Sequence, residues 1–184
     1  MRKLTVVVLP IVLLAAAWAF AQQPDKSKRP SPPGTATVNF ADGKKITVDY
    51  SRPKINDPKT GQPRKIFGTL VPYDKEWRTG ANEATTFVTD TNVKVGDLSV
   101  PAGSYTLYTI PGESEWTIII NKQTGQWGTV YNQAQDLGRT KVKSEKTPST
   151  VEQFTISFDP AKGKSTKMNL EWENTKVSVP IEEQ

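Results

Sequence analysis

The residues best suited to chemistry lie together in one short segment, Trp77 to Thr85. Arg78 carries a planar guanidinium with five donors, and Glu83 is the nearby carboxylate that we expect to pair with it. Asn82 donates and accepts hydrogen bonds through one amide, and Trp77 offers an apolar plane with one donor. Such a set either orients a polar ligand or forms a buried network that fixes a corner of the fold.

Two other places add candidates for ligand binding. Arg52 lies in the long loop 51–63 and Lys65 follows it, and long loops in compact domains are often functional. Trp127 lies between two glycines with Tyr131 close by, so its ring either stacks on a ligand or covers the core as a lid. The complete candidate set is Arg52, Lys65, Trp77, Arg78, Asn82, Glu83, Trp127 and Tyr131.

Several carboxylates lie in or beside these segments, and a pair of them about 5–9 Å apart could hydrolyse a glycosidic bond. A catalytic pair requires two carboxyls that face one pocket, at least one of them without a cationic partner, because a neighbouring Arg or Lys keeps a carboxyl ionised. The sequence assigns no catalytic residue among the candidates, which are Asp49, Asp57, Asp74, Glu76 and Glu83.

The chain of 184 residues contains no His and no Cys. This composition excludes disulfides, thiol nucleophiles, thiolate or imidazole metal sites and a Ser-His-Asp triad. Only oxygen ligands remain for a metal, and no calcium-loop spacing is present around Asp57, Asp74, Glu76 or Asp90. We therefore predict no metal and no cofactor.

Residues 1–21 have the pattern of a secretory signal peptide, with Arg2 and Lys3 before an apolar run and Ala19-Phe20-Ala21 at the cleavage site. The alternative, an uncleaved membrane anchor, requires a longer apolar run without a proline. Residues 22–34 are rich in proline and predict a flexible spacer, or a merely ragged terminus. We expect an exported protein, periplasmic or secreted, without a membrane span after cleavage.

The net charge of +5 is unevenly distributed, since Arg2 and Lys3 contribute to it and residues 35–138 hold equal numbers of each sign. A neutral centre with small basic patches is a poor signature of nucleic-acid binding. We predict no nucleic-acid partner.

From Thr35 onward, apolar and polar residues alternate along roughly ten short segments separated by turn residues. Asp42-Gly43 and Gly96-Asp97 predict hairpins, and Glu173-Asn174 predicts a turn before a last strand. Residues 122–138 are expected to be irregular or a short helix. The pattern predicts one all-β domain over residues 35–181, an antiparallel sandwich or barrel-like fold.

The chain also resembles the DUF2911 family from about Thr35 to Ile181. The family is a domain of unknown function in exported bacterial proteins, so the resemblance implies export and a β-rich domain but gives no catalytic residue. The segments that carry it are Ser51-Arg52-Pro53, Arg64 to Gly68, Leu70 to Tyr73, Trp77 to Thr85, Pro101 to Tyr105 and Glu115 to Ile119.

These observations favour non-catalytic binding of a polar ligand of the cell envelope, a glycan or a peptide. One alternative is a carboxylate-dependent hydrolase that acts on envelope glycans. Another is a structural or assembly domain of the envelope, in which an edge strand such as Thr175 to Val179 pairs with a partner.

Overall fold

A computed structural model describes residues 25–184, and its regular structure is almost entirely β. The all-β fold class is confirmed, and the predicted signal, residues 1–21, lies outside the described residues. Two single turns of 3-10 helix, Lys26–Lys28 and Gln133–Gln135, accompany nine strands. The strands are β1 (Pro33–Asn39), β2 (Lys45–Ser51), β3 (Thr85–Thr89), β4 (Val93–Val95), β5 (Leu98–Val100), β6 (Gly103–Ile110), β7 (Glu115–Asn121), β8 (Asp136–Phe158) and β9 (Ser165–Glu183).

The strands form one antiparallel sheet in the order β1-β2-β3-β6-β7-β8-β9-β4-β5, and the sheet is not closed. Both predicted hairpins are present, because their turn chemistry is local. Asn39 pairs with Lys45 around Gly43, whose φ is 85°, and Val95 pairs with Leu98 around Gly96, whose φ is 57°.

The last part of the chain differs from the predicted short strands. Residues 139–143 and 154–158 belong to one long strand, β8, whose polar middle pairs with β9 at Lys146↔Thr175. The predicted turn at Glu173-Asn174 is wrong, because β9 continues through Glu173 (φ 55°) with an irregular register. The predicted edge segment Thr175 to Val179 pairs with β8 through residues 175–177, while β4 pairs with β9 further along, at residues 181–183.

The inner face of the sheet encloses a core of aromatic rings. Trp77 stacks on Trp172 with ring centroids 5.9 Å apart, and Phe67 meets Trp116 edge-on at 5.0 Å. Trp116 and Trp172, expected in the core from their strand positions, are buried.

A second, smaller apolar cluster lies on the opposite face, where Ala84, Tyr108 and Ile119 pack together. β6 and β7 are therefore covered on both faces, which accounts for the unbroken apolar run Ile118 to Ile120. The covering segments are the irregular loops 70–84 and 122–135, and these loops hold most of the candidate residues.

Side chains from the end of β2 connect it to β8. The Tyr50 hydroxyl accepts from the Ile156 amide at 2.8 Å and donates to the Ile156 carbonyl at 3.2 Å. Arg52 donates to the Phe154 carbonyl and to the Thr155 hydroxyl. Arg52 is thus engaged in holding the fold together along this seam.

The proline-rich segment 22–34 is described from Asp25, and there it lies against the domain. The amide of Arg52 donates to the Pro32 carbonyl at 2.8 Å, and β1 begins at Pro33. No helix within residues 25–184 is long and apolar enough to cross a membrane.

Candidate functional site

The backbone at Trp77 sends two neighbouring side chains to opposite faces of the sheet. Trp77 forms an isolated bridge with Thr109 of β6, with N–O distances of 2.7 and 2.9 Å. Because successive side chains alternate across extended backbone, Trp77 enters the inner core and Arg78 lies on the outer face with Tyr108.

The turn that follows Arg78 is tight and strained. Thr79 and Asn82 have φ values of 52° and 59°, which is costly for a β-branched residue such as Thr79. The Thr79 hydroxyl donates to the Thr109 hydroxyl at 3.1 Å, and the Thr85 hydroxyl donates to the Thr79 carbonyl at 2.8 Å. A side chain at Gly80 would collide with the backbone of Ser51, so this corner requires glycine.

The predicted Arg78–Glu83 pair is wrong. Arg29, from the N-terminal segment, donates two hydrogen bonds of 2.9 Å to the Glu83 carboxylate, and Lys26 approaches it to 3.1 Å. Burial raises the pKa of Glu83, but the hydrogen bonds from Arg29 and Lys26 outweigh burial and hold that pKa at about 2. Glu83 is therefore ionised and fully engaged by its own chain.

Glu83 lies in a cleft of about 340 Å³ that we call the N-terminal cleft, lined by Lys26, Arg29, Ser31, Pro33, Asp49, Tyr50, Ser51, Glu83, Ala84, Thr86, Gly125 and Gln126. It also contains Asp49, which accepts a hydrogen bond from the Thr35 hydroxyl and has no cationic partner within residues 25–184. Two carboxyls thus line one cleft, but the pKa of Glu83 makes it unable to act as a general acid near neutral pH.

Arg78 lines a second cleft of about 310 Å³, the Arg78 cleft, together with Leu70, Val71, Pro72, Lys75, Glu76, Trp77, Tyr108, Gly128, Thr129 and Tyr131. Its Nε atom is buried without a hydrogen-bond partner, and no carboxylate of the described chain lies within 4 Å of its guanidinium. Burial lowers the pKa of Arg78, and the nearby Tyr108 opposes this shift. The guanidinium is a half-buried cation whose charge nothing on residues 25–184 neutralises.

The loop 124–131 holds the Arg78 side chain in place from above. The Gly128 amide donates to the Asn82 carbonyl at 3.0 Å, and the Ala84 amide donates to the Gln126 carbonyl at 3.2 Å. A Cβ atom at Gly128 would overlap the Cδ atom of Arg78. Glycine at this position is what allows the loop to pass directly over the arginine stem.

Tyr131 contributes a ring to the Arg78 cleft, while its hydroxyl is already engaged. The hydroxyl donates to the Asp136 carboxylate at 2.8 Å and accepts from Arg139 at 2.7 Å, and the ring meets Tyr108 edge-on at 4.9 Å. Burial and then the bond to Asp136 raise the pKa of Tyr131 to about 12. Tyr131 can therefore offer a ligand an aromatic surface and no proton.

A family model described as "Protein of unknown function (DUF2911)" matches residues 31–181. The chain belongs to the DUF2911 family. Neither the curated proteins nor the solved structures contain a match to it.

The remaining candidates of this DUF2911 chain are distributed around the two clefts. Trp77 is buried and its indole N–H already donates to the Gly80 carbonyl at 3.1 Å, so it supplies only a wall. Trp127 is half exposed, which is inconsistent with a lid on the core. Asn82 donates to the Ser31 carbonyl and the Ser51 hydroxyl. Lys65 is exposed and lines neither cleft.

Sequence reasoning missed the residues that come from distant parts of the DUF2911 chain. Arg29 and Lys26 carry no motif, and their pairing with Glu83 depends on where the N-terminal segment lies. Tyr108 lies in the regular strand β6 and was therefore not singled out. A strand that is apolar on both faces does, however, indicate a second cluster on its outer face. Gly128 could have been found from the sequence, because it directly follows a tryptophan that lies alone in a loop.

The acidic residues of the DUF2911 domain are dispersed. No group of three or more His, Cys, Asp or Glu side chains is arranged to hold a metal ion within residues 25–184. The polar groups of the two clefts are cations, hydroxyls, amides and isolated carboxylates, a set suited to holding a polar molecule.

Proposed function

We propose that this DUF2911 protein is an exported, non-catalytic binding protein that holds a polar ligand of the cell envelope, a glycan or a peptide, in the Arg78 cleft. The N-terminal sequence, with Arg2 and Lys3 before an apolar run and Ala19-Phe20-Ala21 after it, supports export.

The observation that carries the binding proposal is the state of Arg78. A half-buried cation costs free energy unless it is paired, and Arg78 has no partner among the residues described. A ligand that supplies hydrogen-bond acceptors to the Arg78 guanidinium would offset this cost. The rings of Tyr108 and Tyr131 and the exposed side chain of Leu70 provide apolar contact area in the cleft. Trp127 and Val130, which are also exposed, lie next in sequence to the lining residues Gly128 and Thr129.

The test is an affinity screen of envelope glycans and short peptides against the wild-type protein and three variants. Arg78→Met should weaken any ligand of this cleft by about tenfold or more, since a charged hydrogen bond is lost. Trp127→Ala should weaken it less. Arg64→Met is the matched control, because Arg64 lies outside both clefts and pairs with Asp57 at 3.4 Å. A screen without a ligand, or with one that ignores Arg78→Met, contradicts the proposal.

A carboxylate-dependent hydrolase is the second candidate, favoured only by the presence of Asp49 and Glu83 in the N-terminal cleft. Against it, Glu83 remains ionised near neutral pH, so Asp49 would have to supply the acid. Hydrolysis of an envelope glycan that is lost in Asp49→Asn and retained in Arg78→Met would favour this candidate over binding in the Arg78 cleft.

A further inference from the structure

The Arg78 cleft has a charge pattern that restricts the class of its ligand. Its lining contains two cations, Arg78 and Lys75, and one carboxylate, Glu76. Lys75 and Glu76 are exposed, whereas Arg78 is half-buried beside Tyr108. The inner end of the cleft therefore carries one positive charge and no negative charge from the described residues.

The chemistry of that inner end matches a single anionic group. A guanidinium presents its donors in one plane, which suits the two oxygens of a carboxylate or phosphate. Only Arg78 provides such a charge there, and the other walls are apolar or aromatic. A monoanion balances one cation, whereas a phosphate dianion would enter with one charge in excess and with few further donors to receive it.

We propose that the Arg78 cleft receives the carboxylate of a small ligand, such as a peptide end or a sugar acid, with the carboxylate on the Arg78 guanidinium. This inference rests on the proposed binding function and adds the chemical class of the ligand. Tyr131 contributes its ring alone, because Asp136 and Arg139 occupy its hydroxyl.

The volume of the cleft limits the ligand's size. The cleft measures about 310 Å³, which is at the lower end of the range for ligand pockets, roughly 300–1,000 Å³. It can accept one or two residues of a peptide or a single sugar ring. A longer ligand would extend over the exposed Leu70, Trp127 or Val130.

The experiment titrates the full mature protein with N-acetyl-alanyl-alanine and, separately, with its C-terminal amide, following backbone amides by NMR. The two probes have nearly the same shape, and the amide replaces one oxygen of the negatively charged carboxylate by an uncharged NH₂ group. We expect the acid to bind at least about tenfold more tightly than the amide, because charge-assisted hydrogen bonds are the stronger ones. Glucuronate and inorganic phosphate are the further arms.

Two variants connect the preference to Arg78. Arg78→Gln should abolish the difference between acid and amide. Gly128→Ala keeps the charge, but its methyl group would overlap both the Arg78 side chain and the Asn82 carbonyl oxygen, so the side chain and the loop must shift. It should reduce acid binding at least about tenfold while the NMR spectrum remains that of a folded protein. Arg64→Gln is the matched control and should leave acid binding unchanged.

Each outcome decides the inference. Acid binding that requires Arg78 supports it, and comparison with glucuronate tells whether a peptide or a sugar carboxylate is preferred. Equal binding of acid and amide, tighter binding of phosphate than of both carboxylates, or no binding of any probe overturns it. If these probes fail while a neutral glycan or peptide binds in an Arg78-dependent manner, the proposed function stands and only the carboxylate is excluded.

Discussion

The two clefts lie on either side of one loop and differ in whether their main charged side chain is paired. In the N-terminal cleft, the Glu83 carboxylate receives two hydrogen bonds from Arg29 and a contact from Lys26. In the Arg78 cleft, the guanidinium has no acceptor among the described residues. The first arrangement stabilises the fold by itself, whereas the second costs free energy until something enters the cleft. Glu83 is thus a charge paired within the fold, whereas Arg78 is a half-buried cation without a partner among residues 25–184, and this difference marks the Arg78 cleft as the candidate site.

The largest expected effect separates a tryptophan of the core from a tryptophan of the loop above the Arg78 cleft. Trp77→Ala should lower the free energy of unfolding by about 3–5 kcal/mol, because it empties a buried aromatic cluster. Trp127→Ala, the matched control, should change it by no more than about 0.5 kcal/mol, since Trp127 is half exposed. Urea denaturation measures both. Similar losses for the two variants would show that Trp127 supports the fold.

The next prediction compares two arginines. Arg139→Met should destabilise the protein by about 1–2 kcal/mol, because Asp136 and Tyr131 lose their partner. Arg78→Met should instead stabilise it by about 0.5–1 kcal/mol, because a half-buried charge without a partner in residues 25–184 is removed. Urea denaturation of the two variants measures both changes in the free energy of unfolding. A loss of stability in Arg78→Met comparable with that in Arg139→Met would place Arg78 among the structural residues.

A smaller effect on stability is expected when the Glu83 carboxylate is protonated at low pH. The folded pKa of Glu83, about 2, lies below its ordinary value of 4.5, so its stabilising contribution is complete above pH 4.5 and is lost as the pH falls toward 2. Resonances of Arg29 and Lys26 in the folded protein should change only as the pH approaches about 2, where Glu83 takes up its proton. In Glu83→Gln the change should be absent, and these resonances should already resemble the acid form at neutral pH. A transition that persists in Glu83→Gln would assign it to another carboxyl.

The sequence predicted the parts of the fold that local chemistry determines. Asp42-Gly43 and Gly96-Asp97 favour their turns whatever surrounds them, and the alternation of β1 to β5 follows from one buried face. The unbroken course of β8 and β9 could not be predicted in this way. Polar residues such as Ser144 to Lys146 of β8 are extended because residues 175–177 of β9, which are distant in sequence, pair with them.

The candidate site likewise has features that local sequence predicts and features that depend on residues distant in sequence. The composition of the segment Trp77 to Thr85 singled it out as a candidate, but the predicted pairing of Arg78 with the nearest carboxylate was wrong. The Glu83 carboxylate is paired with Arg29, which is 54 residues away along the chain. The alternation of Trp77 and Arg78 across the backbone then sends one side chain to the core and the other to the cleft, a division that follows from the Trp77↔Thr109 bridge.

The most direct test observes the Arg78 guanidinium itself. Its Nε atom is buried, so its Nε–H should exchange slowly enough to give a resolved ¹H–¹⁵N signal, which Arg78→Gln identifies by removing it. We predict that this signal shifts and saturates as N-acetyl-alanyl-alanine is added, and that the amide of the same peptide leaves it nearly unchanged. A signal that stays still while the acid binds elsewhere, or that responds equally to the amide, would contradict the assignment of Arg78 as the receptor of the ligand's charge.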